Sequence, residues 1–247
     1  MSLRMRIPRP QFFATSWRRT VGAAACSGAF AVLMGVGPAS LPAQGASDAS
    51  QHFVVVIDAA HGGDDSGARL GSEAEKAYTL AFSVRLRSLL AARGVSVVTT
   101  RESDATIDAD HRADIANRAT AHACLSLHAS ESGNGIHLFV SSLAPVQPAH
   151  FLPWRTAQAA WITRSVSLAG IINSAINQAG ISVTLGRSVL PVVDSMTCPA
   201  VVIEVAPLQA SSDSKPASLD DQDYQARVAG ALAAALVEWR SSDRGGR

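Results

Sequence analysis

Four residues stand where a chain can do chemistry. His61 follows the β-branched run Val54-Val55-Val56-Ile57-Asp58 by three residues, and His128 closes Cys124-Leu125-Ser126-Leu127. Glu204 ends the apolar run Ala200-Val201-Val202-Ile203, and Glu75 opens a segment of helical periodicity. Zinc accepts neutral imidazole and carboxylate ligands, and a catalytic zinc keeps three protein ligands plus water. Three of these four residues can hold such an ion, leaving the fourth to act on its water and pass the proton to a leaving amine. Separations of 14 and 53 residues between His61, Glu75 and His128 form no compact motif. Each has an ordinary alternative: a loop histidine, a hydrogen-bonded strand end, a carboxylate favoured by a helix dipole. Glu204 resists one, since an ionised carboxylate in an apolar strand needs a partner or a metal. Glu73 is a fallback ligand, and His52, His111, His122, His137 and His150 receive no functional role.

The elements that must position these residues alternate. Continuous β-branched runs predict strands buried on both faces at 53–58 and 200–205, with further strands at 95–100, 124–128 and 136–140. Val189-Leu190-Pro191-Val192-Val193 reads as an edge strand, because proline cannot donate to a ladder. Helices are expected over 73–93, 109–120, 155–179 and 221–240. In the first of them Tyr78, Phe82, Leu86 and Leu89 share one face, and in the last Tyr224, Val228, Leu232, Leu236 and Trp239 do. The alternation predicts an α/β fold of three layers, a mostly parallel twisted sheet flanked by helices. Ligands gather at the carboxyl ends of such strands, where the four residues lie.

The chain has 247 residues, 47% hydrophobic and 17% charged, which supports a core. Residues 1–45 hold five arginines and no acid; without them 16 Lys+Arg face 20 Asp+Glu, a net charge of −4 against +1 for the whole chain. A basic nucleic-acid binder is thereby excluded. Arg4 to Arg19, the apolar stretch 21–36 and the small residues that follow have the order of a secretory signal peptide over 1–45, cleaved within 39–46. The apolar run is shorter than a membrane span, so no stable anchor is expected after cleavage, and a retained anchor is the alternative. Arg18-Arg19 leaves the choice between general and twin-arginine export open. A linker at 46–52, a domain at 53–241 and a tail at 242–247 complete the layout. Only Cys124 and Cys198 follow the leader, and in an oxidising compartment they form either one disulfide or two buried thiols.

Val55-Val56-Ile57-Asp58-Ala59-Ala60-His61-Gly62-Gly63-Asp64-Asp65-Ser66-Gly67-Ala68 resembles the opening motif of the zinc-dependent N-acetylmuramoyl-L-alanine amidases, the amidase-3 family. Five further segments resemble that family in its order: Glu75-Lys76, Thr100-Arg101-Glu102-Ser103-Asp104, Arg112 with Ala116-Asn117, Ser126-Leu127-His128-Ala129, and Pro199 to Glu204. The resemblance runs from about 53 to 240. It implies a phosphorylase/hydrolase-like fold, Zn2+ on His61, Glu75 and His128, and Glu204 as catalytic acid/base. It implies cleavage of the amide joining N-acetylmuramic acid to L-alanine in peptidoglycan, in the periplasm or cell envelope.

Three departures from the pattern remove no proposed ligand: Ala60 for a glycine, Ser130 for Asn or Asp, and Ala206-Pro207-Leu208-Gln209-Ala210 for Gly-Phe-x-x-Asn. Ser130 and Arg101 are candidates for touching substrate or orienting a ligand. Some members carry an inserted helix that blocks the zinc until an activator protein releases it. Here the loop from Ser141 to Pro153 leaves little room for one, so an open site is expected, and any activator is unidentified. Two alternative functions share these residues: a zinc peptidase cutting within the stem peptide, and an inactive peptidoglycan-binding protein.

Overall fold

Strand β1 (Val54–Ala59) carries the first β-branched run and is buried along nearly its whole length. The computed structural model describes residues 52–147, 151–210 and 215–245. The leader, the linker except His52, and His150 lie outside the described residues. After β1 a loop leads to a short antiparallel pair, β2 (Arg69–Leu70) and β3 (Glu73–Ala74), then helix α1 (Glu75–Ala91). Next come β4 (Ser96–Thr99), α2 (Ala109–Arg118), β5 (Ala123–Ala129) and β6 (Ile136–Ser141). A 3-10 segment over Trp154–Ala160 precedes α3 (Ile162–Gln178), followed by β7 (Val183–Ser188), α4 (Pro191–Asp194), β8 (Ala200–Val205) and α5 (Gln222–Gly245).

Six strands form one sheet in the order β4-β1-β5-β8-β6-β7. All neighbours pair parallel except β6 and β8, which are antiparallel. Alternation along each strand splits the core in two. Val55, Ile57, Leu125, Leu127, Val201 and Ile203 face α1, α3 and α5, burying Phe82, Leu86, Leu168 and Leu232. Val56, Cys124 and Val202 face the other layer, where Ala113 and Ala116 of α2 meet Val193 of α4. On α1 the buried stripe is Tyr78, Phe82, Leu86 and Leu90, with Leu89 only partly buried against it.

The expected strand at 189–193 is not there. Pro191 opens α4, where its fixed φ and missing N–H cost nothing. The edge strand is β7, one turn of chain earlier. Its sequence Val-Thr-Leu-Gly-Arg-Ser has no apolar run, and it forms by pairing with β6, with Gly186 packed against the Phe139 ring. The single helix expected at 155–179 is also broken, at Trp161. There the buried Gln158 side chain turns inward and donates to the carbonyls of Met196 and Cys198. The last helix runs on to Gly245, past the expected domain end at 241.

Cys124 and Cys198 are joined, closing a sequence separation of 74 residues. The bond lies at the amino ends of β5 and β8, opposite the ends that carry His128 and Glu204. A bridge across so long a loop removes unfolded-state freedom worth about 2–4 kcal/mol. The Cys198→Ala variant should therefore unfold at lower denaturant than the parent, by that free energy, and reductant should shift the parent but not the variant. Coincident unfolding curves for all of them would contradict this.

Candidate metal centre

His61 lies two residues beyond β1 with a backbone φ of 64°, a conformation costly for a residue bearing a Cβ. The loop holds it there. Arg112, itself buried, donates to the His61 and Ala59 carbonyls and pairs with Asp58 at 2.8 Å. Asp58 also accepts from Thr100 and Ser126, so this ion pair is fully hydrogen-bonded beneath the site. Gly67, at φ 65°, closes the loop: a Cβ there would come within 2.7 Å of both the His61 ring and the Glu75 carboxylate. Only glycine lets the chain pass so close.

Glu75 is the first residue of α1 and is buried. Its carboxylate accepts from the Ala68 and Ala129 amides at 2.9 and 3.1 Å. It also faces His61 Nε2 at 3.1 Å and His128 Nδ1 at 2.9 Å. Burial works to raise its pKa; the hydrogen bonds from His128, His61 and the two amides outweigh burial and hold it well below the ordinary carboxylate range. The bond to Glu75 in turn raises the His61 imidazole above its usual value, against burial and with help from Asp65. Asp65 Oδ2 meets His61 Nδ1 at 2.8 Å, which directs Nε2 inward.

One donor atom from each of His61, Glu75 and His128 lies within 4.8 Å of the others. Two imidazoles and a carboxylate are a donor set zinc accepts. Metal and proton compete for it. Because the metal-free His61 pKa is raised, its pairing with Glu75 is fully present below about pH 6.5 and fades as pH climbs through the raised value. Metal binding, which needs the neutral ring, has the opposite slope. Zinc titration of metal-free protein near pH 6.5, in buffers of different ionisation enthalpy, should show proton release that diminishes at pH 8; no buffer dependence would contradict this.

Glu204 stands in register with His128 on β5 and with His137 on β6, and its carboxylate meets His137 Nδ1 at 3.2 Å. Glu73 is exposed on β3 and outside the cluster. Arg101 is buried and donates to the carbonyls of Ala59, Ala60 and Lys76, tying the end of β1 to the start of α1. Ser130 turns its hydroxyl to Ser132, at 2.9 Å. A groove of about 810 Å³ has Glu73, Tyr78 and Glu131 in its lining and none of the three candidate ligands.

Sequence reasoning passed over Asp65 and His137. Asp65 acts through a loop whose turns carry no periodic signal. His137 had one: with Ile136, Leu138 and Val140 facing α3, strand parity sends it to the face of His128 and Glu204.

The fold and this cluster define a three-layer α/β domain with a candidate metal centre at the carboxyl ends of β1 and β5 and the start of α1. The chain belongs to the Amidase_3 family, described as N-acetylmuramoyl-L-alanine amidase, whose model matches residues 55–238. CwlM of Bacillus licheniformis, an N-acetylmuramoyl-L-alanine amidase, is 37% identical over 81 residues, 32% of each chain. The amidase AmiA of Escherichia coli is 41% identical over 78 residues, 31% of this chain and 27% of that one. The matched stretch thus spans about a third of those relatives. The catalytic domain of CwlV, an amidase from Bacillus (Paenibacillus) polymyxa var. colistinus, is similar with TM-score 0.59 and 27% identity, covering 76% of this chain and 97% of that one. An amidase from Clostridium difficile 630 has TM-score 0.60 at 23% identity, covering 77% and 97%, and so shares the fold.

Proposed function

We propose that the protein hydrolyses the amide between N-acetylmuramic acid and L-alanine in peptidoglycan, using zinc held by His61, Glu75 and His128 with Glu204 as acid/base. The observation that carries this is the convergence of His61, Glu75 and His128 within 4.8 Å, with Glu204 in register beside His128. A zinc ion so held supplies Lewis acidity toward the scissile carbonyl. Asp65 holds His61 by Nδ1 and leaves Nε2 as the donor. Glu75 lies between the two rings and aims both. Glu204 takes the proton of the attacking water and returns it to the alanine nitrogen as the C–N bond breaks.

An exported enzyme would meet this substrate, and the 1–45 leader supports export. Among the described residues no helix is long and apolar enough to cross a membrane. An open site, expected from the short loop at 141–153, is part of this reading, and any activator is unidentified.

The test is metal content together with mass analysis of digested cell wall. About one zinc per chain and whole stem peptides with a free L-alanine amino terminus are expected. Fragments cut within the stem would establish the peptidase reading instead. Zinc-loaded protein that binds wall without cutting it would establish the binding-protein reading, and protein that takes up no zinc would sink the metal centre.

A further inference from the structure

The β6 strand brings a third histidine to the site. Ile136, Leu138 and Val140 pack into the core against α3, so His137 stands on the opposite face, in register with Glu204. Its Nδ1 lies 3.2 Å from Glu204 Oε1. Among the described residues this is the one hydrogen-bond partner of the Glu204 carboxylate. The Asn134 backbone N–H points at the other ring nitrogen, Nε2, at 3.4 Å. A backbone N–H can only donate, so Nε2 is the acceptor and the neutral ring carries its proton on Nδ1. That proton is the one directed at Glu204.

Room for the ring comes from Gly133, at φ 109°. A Cβ there would lie 2.2 Å from His137 Cε1. The strand, the loop amide and the glycine therefore fix one rotamer and one tautomer. Glu204 needs such help. Its side chain is 30% exposed, and a carboxylate on a strand end has several rotamers open to it.

We propose that His137 is the positioning residue of Glu204: its Nδ1–H holds the carboxylate in one orientation, with the free oxygen available for proton transfer. The inference rests on the acid/base role proposed for Glu204. His137 touches neither substrate nor metal and acts through the carboxylate. A hydrogen bond to a charged acceptor that sets geometry before reaction belongs to the support a reactive group needs.

The test compares His137→Leu, His137→Asn and Gly133→Ala in the full-length protein. An Asn amide nitrogen occupies nearly the place of an imidazole Nδ1 and can donate to Glu204. His137→Leu is expected to lower kcat by roughly 10- to 100-fold, with KM and zinc content unchanged. His137→Asn should recover most of that loss. Gly133→Ala, which keeps the histidine and denies its ring this seat, should lower kcat without raising KM. An unchanged kcat in His137→Leu, or an Asn variant no better than Leu, would overturn the proposal. A second readout is independent of turnover: the ¹⁵N shifts of the His137 ring. The Nδ1–H tautomer is expected in the wild type, with a mixture in Glu204→Ala, whereas an Nε2–H tautomer in the wild type overturns the proposal. Should the wild type show no amidase activity, the proposed role of Glu204 falls, and the ring shifts alone decide whether the pair exists.

Discussion

Glu204→Gln is expected to keep its zinc and lose its turnover. The substitution preserves shape and leaves His61, Glu75 and His128 intact, so the donor set within 4.8 Å survives. The amide oxygen can still accept from His137, so the side chain keeps its place. What disappears is the capacity, proposed above for Glu204, to take a proton from water and give it to the departing nitrogen. General acid–base catalysis contributes about 10²–10⁴-fold to rate, and stem-peptide release should fall by that factor. Parallel metal analysis and rate measurement make the check. Wild-type turnover would strip Glu204 of its role, and loss of zinc would make it a ligand.

Glu75→Ala should do the reverse damage, removing metal and activity together. This carboxylate lies between both imidazoles and accepts from the Ala68 and Ala129 amides. Without it two histidines remain, too few for a catalytic zinc. The buried Ala129 amide would also lose its acceptor, at a cost of about 1–3 kcal/mol. Zinc content near zero, absent turnover and a lower unfolding midpoint are expected together. A variant retaining one zinc per chain would move the ligand role elsewhere, with Glu73, two residues away, the first place to look.

How much of this was legible from the amino acids follows from which forces act locally. The strands β1 and β8 are buried on both faces, so their β-branched runs announced them. Strand β7 is held by pairing to β6, a distant partner, and its own residues are mostly exposed and mix apolar with polar types; no apolar run marks it. Pro191 was misread for a related reason. The same missing N–H suits an edge strand and the first turn of a helix, and only the tertiary setting chooses. At the site, His61, Glu75, His128 and Glu204 were picked out because they lie at strand ends or a helix start. Arg101 drew notice as part of Thr100-Arg101-Glu102-Ser103-Asp104, and its guanidinium is spent on backbone carbonyls. Asp65 and His137 were passed over because their meaning lies in contacts. Asp65 matters through a turn at His61; for His137 the alternation of Ile136, Leu138 and Val140 gives the face, while the antiparallel register that sets it beside Glu204 comes only from the pairing of β6 with β8.

The order of the sheet carries a kinetic consequence. β8 is central, yet it enters between β5 and β6, which begin 77 and 64 residues earlier in the chain. In a chain appearing amino end first, His61, Glu75 and His128 exist before Glu204, and the proposed acid/base arrives only when β8 enters between β5 and β6. Long-range pairing of this kind is slow to form. With Glu204 as the proposed acid/base, activity therefore waits on the insertion of β8, after the three candidate donors and helices α1 to α4 exist in the chain.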